Sequence, residues 1–116
     1  MMVLGLMSGT SLDGLDFALV ELSQLNGKYT SSLIHSKTIP YTNHWEGRLK
    51  AARLLSGLKL TQLHIDYGRL LGNLTNQFLK GKPQPDLISS HGHTVFHKPS
   101  IGITLQIGSL EVLAEV

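Results

Sequence analysis

Leu63, Tyr67, Leu70, Leu71, Leu74 and Phe78 recur at intervals of three and four between Thr61 and Lys80, tracing one apolar stripe along a helix of about five turns. A stripe that long must be covered, and packing against the rest of the chain is its ordinary fate. Thr61 is read as the N-cap, and Gly81 followed by Pro83 as the stop. What the helix can cover is set by the segments before it. "MVLGLM" and "LDFALVEL" are apolar and β-branched. In the second, Phe17 and Leu19 point one way while Ala18, Val20 and Leu22 point the other, so both faces are expected to be buried. "SSLIHSKTIPY" follows the turn "LNGK", where Asn26-Gly27 is a hairpin signal because both residues tolerate positive φ.

Three strands therefore open the chain. A short helix follows, carried by Trp45, Leu49 and Ala52 and stopped by Gly57. Beyond the long helix, "LISSHGHTVFH" reads as one strand, "KPSIG" as a turn, "ITLQIG" as a further strand and "SLEVLAEV" as the first two turns of a helix. That order describes an α/β layered domain. A length of 116 residues allows one such domain. A last helix that reaches Val116 uncapped carries the expectation of a truncated lobe.

Composition narrows the function classes. A net charge of +2, spread over scattered Lys and Arg, gives nucleic-acid binding little support. No apolar run approaches the roughly 18 residues that cross a bilayer, so no membrane partner is expected. The start "MMVLGLMSG" has no basic region before it and no cleavage pattern, and the chain has no cysteine, so a cytoplasmic location is expected.

Two stretches carry chemistry. In "SGTSLDG", the Ser8, Thr10 and Ser11 hydroxyls and the backbone N–H groups around Gly9 and Gly14 suit an anion, although neither the Walker nor the dinucleotide pattern is present. A tight hairpin whose Ser, Thr and Asp satisfy their own backbone is the competing reading. Asp13 and Asp16 add carboxylates, and a carboxylate beside a phosphate repels it unless a bound hydroxyl or Mg²⁺, which favours carboxylate and phosphate oxygens, mediates. In "SSHGHTVFH", His91, His93 and His97 would share one face of an unbroken strand, which leaves zinc binding, hydrogen bonding to a ligand and structural roles all open. Gly92 hints at a bulge that would break that register.

"GLMSGTSLDGLDFALV", "DLISSHGHTVFH" and "TLQIGS" together resemble the N-terminal part of the anhydro-N-acetylmuramic acid kinases, over essentially the whole chain. The resemblance implies a ribonuclease H-like first lobe of an actin/hexokinase-like ATPase fold, three-layered with a mixed sheet, its second lobe absent from this chain. It implies ATP-dependent phosphorylation of 1,6-anhydro-N-acetylmuramic acid at its 6-oxygen, with water opening the anhydro ring, in peptidoglycan recycling. ATP, Mg²⁺ and the small sugar are its partners, and a homodimer is compatible with it. By motif, Gly9, Thr10, Ser11, Leu12, Asp13, Gly14, Leu15 and Asp16 would bind the nucleotide phosphates. Asp13 and Asp16 would meet the metal, and His91 and Thr94 the sugar.

Two positions depart from the pattern: His93 stands where the family usually has the amide of His-Gly-Gln-Thr, and Met7 stands where superfamily relatives often carry Asp. The general base of the family would lie beyond Val116. A nonenzymatic actin-like nucleotide-binding module is the alternative that the phosphate turn alone would serve.

Overall fold

The computed structural model describes residues 1–9 and 11–115. Strands β1 (Met2–Ser8), β2 (Gly14–Leu25) and β3 (Lys28–Pro40) run antiparallel in sequence. Helix α1 (Asn43–Ala51), a 3₁₀ turn (Ala52–Leu54) and helix α2 (Gly57–Leu79) follow. Strand β4 (Leu87–Ser90) then returns beside β1 and parallel to it, giving a mixed sheet of order β3-β2-β1-β4. Strands β5 (His93–Lys98) and β6 (Ile103–Ile107) form a separate antiparallel pair, and α3 (Leu110–Glu115) ends the described chain. The expected mixed α/β organisation is present.

Alternation in β1 and β2 decides which face is core. Leu4, Leu6 and Ser8 lie opposite Leu19, Phe17 and Leu15, and all six are buried. The stripe of α2 covers them: Leu63, Tyr67, Leu71 and Phe78 are buried, and the Phe78 ring stacks on Phe17 at 4.8 Å between centroids. The opposite face is open. Met7 is 56% exposed, Asp16 is exposed, and Ala18, Val20 and Leu22 are half-buried. The expectation that β2 is buried on both faces is thus wrong, because the described helices all pack on the Leu4 side.

Two boundaries also differ from expectation. Helix α2 begins four residues before Thr61, because Ser56 caps it by accepting from the Lys59 N–H at 3.3 Å. Gly57, read as a stop, is its first residue, and Thr61 donates its hydroxyl to the Gly57 carbonyl. The Asn26-Gly27 turn is as expected, with φ of 53° and 76°. No described helix is long and apolar enough to cross a membrane.

Candidate functional site

The ends of β1 and β4 lie side by side, in register from Val3–Leu87 to Leu6–Ser90, and the chain leaves each in a different direction. In open α/β sheets such diverging carboxyl ends of parallel strands form the crevice in which ligands bind. After Ser8 comes the glycine and hydroxyl loop. There the Leu12 N–H donates to the Gly9 carbonyl at 3.2 Å, and Ser11 Oγ donates to Asp13 Oδ1 at 2.8 Å. Leu12 itself has φ of 58° and is only 9% exposed. The left-handed backbone costs a leucine about 1–2 kcal/mol, which burial of its side chain offsets. Gly14 does not loosen the loop. A Cβ there would stand 2.6 Å from the Ile39 carbonyl oxygen, so glycine is needed for β2 to approach β3.

Gly92 performs the corresponding turn after β4. The His91 N–H still donates to Leu6 O at 3.1 Å, extending the sheet by one residue. Gly92 then takes φ of 71° with its Cα against Ile107, where a Cβ would meet the carbonyl oxygen at 2.5 Å. The expected single strand through "LISSHGHTVFH" is therefore two strands in two sheets. His91 is left exposed, His93 enters the core at 5% exposure, and His97 lies exposed beside Thr104. The three histidines share no face, and among the described residues no group of three His, Asp or Glu side chains could hold a metal.

Two grooves flank the end of β1. One, of about 590 Å³, lies on the open face of the sheet and is lined by Met7, Asp16, Ser89 and His91 among others. Met7 and Asp16 are cross-strand partners, so the Asp16 carboxylate stands beside the Met7 side chain on the same face. It accepts a hydrogen bond from the Thr38 hydroxyl. Asp16 is thus exposed and partnered.

The second groove, of about 220 Å³, lies on the core side between α1, the 3₁₀ turn and β5. Leu12, Lys50, Arg53, His93 and Thr94 line it. Behind His93 runs a buried hydrogen-bonded relay. Tyr41 donates its hydroxyl to Ser8 Oγ at 2.7 Å, so Tyr67, at 2.6 Å, must be the donor to Tyr41. Ser8 Oγ is in turn hydrogen-bonded to Nδ1 of His93 at 3.1 Å. Burial pushes the His93 pKa down, keeping the ring neutral. Burial also pushes both tyrosine pKa values up, with the Asp16 and Asp13 carboxylates adding to the effect on Tyr41. In β5, Thr94 accepts from the Gln106 side-chain amide at 3.3 Å.

The expected phosphate-site residues Gly9, Ser11, Leu12, Asp13, Gly14, Leu15 and Asp16 form one loop and strand start, while Thr10 lies outside the described residues. Leu15 is a core residue at 1% exposure. His91 and Thr94 are not together: His91 lines the open-face groove and Thr94 the core-side one. Ser8 faces Tyr41 and His93 rather than the loop's concavity. The relay is a feature that sequence reasoning missed. Its one signal was a hydroxyl at the core-facing position after Leu4 and Leu6.

The family model described as anhydro-N-acetylmuramic acid kinase matches residues 1–116. An anhydro-N-acetylmuramic acid kinase of Bacillus cereus strain G9842 is 36% identical over 98% of this chain and 33% of its own length. Kinases of the same name from Bacillus thuringiensis and Gloeothece citriformis are each 34% identical, over 98% and 100% of this chain. The chain spans about a third of the length of these curated relatives. With the loop, the diverging strand ends and all three motifs inside the matched span, the chain belongs to the anhydro-N-acetylmuramic acid kinase family.

Proposed function

We propose that residues 1–116 are the nucleotide-gripping first lobe of an ATP-dependent kinase acting on 1,6-anhydro-N-acetylmuramic acid in the cytoplasmic recycling of peptidoglycan. The observation that carries the reading is the Gly9–Asp16 segment at the carboxyl ends of β1 and β4, where a strained Leu12 lines the core-side groove and an exposed Asp16 the open-face one. Strained backbone held by its surroundings is a common mark of ligand sites. The order β3-β2-β1-β4, three antiparallel strands followed by a parallel return, supports a ribonuclease H-like lobe.

In this reading the loop from Gly9 to Asp13 holds the terminal phosphates by backbone and hydroxyl donors. Magnesium uses one or two carboxylates and fills its remaining positions with phosphate oxygens and water. Asp16, exposed and oriented by Thr38, fits that donor set, with Asp13 as the second candidate. Bound there, the ion would spread the charge of the phosphates. The chain's own residues position: Leu12 fixes the loop, and the relay through Ser8 fixes the end of β1 beneath it. His91 and Thr94 would meet the sugar from either side of the loop. Water attacks C1, the C1–O6 bond opens, and O6 takes the terminal phosphoryl group while ADP leaves. Catalysis of such a transfer is largely positioning and electrostatics. The general base lies outside residues 1–116 in this reading.

The intact protein, supplied with ATP, Mg²⁺ and 1,6-anhydro-N-acetylmuramic acid, is expected to yield N-acetylmuramic acid 6-phosphate and ADP in equal amounts, read by mass spectrometry and a coupled ADP assay. ATP hydrolysis indifferent to the sugar would refute the kinase reading.

A further inference from the structure

We propose that the core-side groove is an anion subsite that takes the acid arm of the sugar, with Arg53 and Lys50 as its cations. This rests on the kinase reading above, and it adds a specificity determinant that the motifs did not contain.

Two cations, Lys50 and Arg53, line the groove beside His93 and Thr94. Arg53 is exposed and has no ion-pair partner among the described residues. Lys50 reaches only Glu46, at 3.9 Å and with its side chain 71% exposed, so its ammonium is loosely held and free to turn. Among the described residues no carboxylate lines the groove. The Thr94 oxygen accepts from Gln106, which leaves the Thr94 proton to point elsewhere. Leu12 and Leu49, both buried, form an apolar wall that raises the worth of each charged contact. Two cations and a hydroxyl donor beside an apolar wall complement a negative group.

Size and place decide which anion. Pockets for whole small ligands begin at about 300 Å³, so a groove of about 220 Å³ suits an arm of a ligand and not the entire molecule. Asp16, the carboxylate suited to a phosphate-bound metal, lies in the other groove. The planar guanidinium of Arg53 matches a carboxylate through paired hydrogen bonds. A sugar acid seated at Thr94 would therefore direct its carboxylate to Arg53, with Lys50 adding charge.

The test compares the intact wild-type protein with Arg53→Ala/Lys50→Ala, using two ligands that share the anhydro ring: 1,6-anhydro-N-acetylmuramic acid and 1,6-anhydro-N-acetylglucosamine, which lacks the acid arm. Both substituted residues are exposed, so the fold is retained, as unchanged circular dichroism would verify. Wild type is expected to bind the acid sugar more tightly than the neutral one by calorimetry. The double variant should weaken the acid sugar at least about tenfold, leave the neutral sugar and ATP unchanged, and so erase the preference. Arg53→Lys should restore part of it. Equal weakening of both sugars, an unchanged preference, or a loss confined to ATP would overturn the proposal, the last by assigning the groove to a phosphate. Failure of wild type to form the 6-phosphate would count against the kinase reading alone, because the subsite is read from binding.

Discussion

Met7 and Ser8 are neighbours in the chain, yet they open onto two grooves built from opposite materials. Met7 looks onto the open face, beside the Asp16 carboxylate and the Ser89, Ser90 and His91 end of β4. Ser8 looks into the core, where it joins Tyr41, Tyr67 and His93, and beyond them lie Arg53 and Lys50. The period of two in a strand is all that separates an acidic, solvated groove from a basic one backed by a buried relay. A single loop can thus keep a metal-favouring carboxylate and an anion-favouring pair of cations apart.

The comparison breaks most completely at Gly92, the joint through which β4 of one groove becomes β5 of the other. Gly92→Ala would meet positive φ and a carbonyl oxygen at 2.5 Å at once. The expected loss is more than about 3 kcal/mol of stability, at the severe end for a point change. Gly81→Ala is the control: it has φ of 73° but open space around it, and should cost only about 1–2 kcal/mol. Thermal midpoints of the intact protein and both variants would check the pair. Equal losses would mean that backbone conformation alone, and not the close approach to Ile107, constrains the joint.

Asp16→Asn probes the open face alone. Its carboxylate is exposed, so stability should hold within about 0.5 kcal/mol. Phosphorylation, if Asp16 meets the metal, should fall roughly 100-fold or more. Weakened activity that excess Mg²⁺ partly restores would sharpen the assignment. Full activity would remove Asp16 from the metal site and leave Asp13 as the candidate.

Tyr41→Phe probes the core side. It removes the donor to Ser8 and the acceptor for Tyr67 together, so about 1–3 kcal/mol should be lost with little direct effect on the open face. The relay also gives a pH signature. The folded pKa of His93 lies below its ordinary 6.5, so the unfolded chain binds more protons in acid. Stability is then full above 6.5 and declines as pH falls from there through the folded pKa. The tyrosine pKa values lie above their ordinary 10.0, so the unfolded chain loses protons first in alkali, and stability declines as pH rises past 10. Tyr41→Phe should shrink the alkaline decline and keep the acid one. Midpoints measured across pH would show it.

How much of this was legible in the sequence follows from which forces are local. The hairpin at Asn26-Gly27 and the stripe of α2 were readable because turn chemistry and a period of 3.6 are written in consecutive residues. The start of α2 was misplaced because Thr61 and Ser56 are both plausible caps, and only packing of the preceding turn selects between them. The break at Gly92 was hinted at by the glycine, but its size depends on Ile107, which arrives from another strand. The loop's residues were found by motif. Their division between two grooves, the pairing of Asp16 with Met7 and the relay from Tyr67 to His93 all join residues far apart in the chain, and no local pattern encodes them.

Thr75 offers the smallest effect and tests whether the core side is uniformly well satisfied. It is buried at 3% exposure on the stripe of α2, two turns beyond Tyr67, and its hydroxyl has no partner among the described residues. A buried hydroxyl without a hydrogen bond carries its desolvation cost uncompensated. Thr75→Val keeps the shape and removes that cost, against a slight fall in helix propensity that β-branching already imposes on threonine. The expected gain is up to about 1 kcal/mol, seen as a rise of a few degrees in the thermal midpoint. A loss instead would mean that the Thr75 hydroxyl bonds to a group outside the described residues, and the relay through Ser8 would then share the core with a second polar contact.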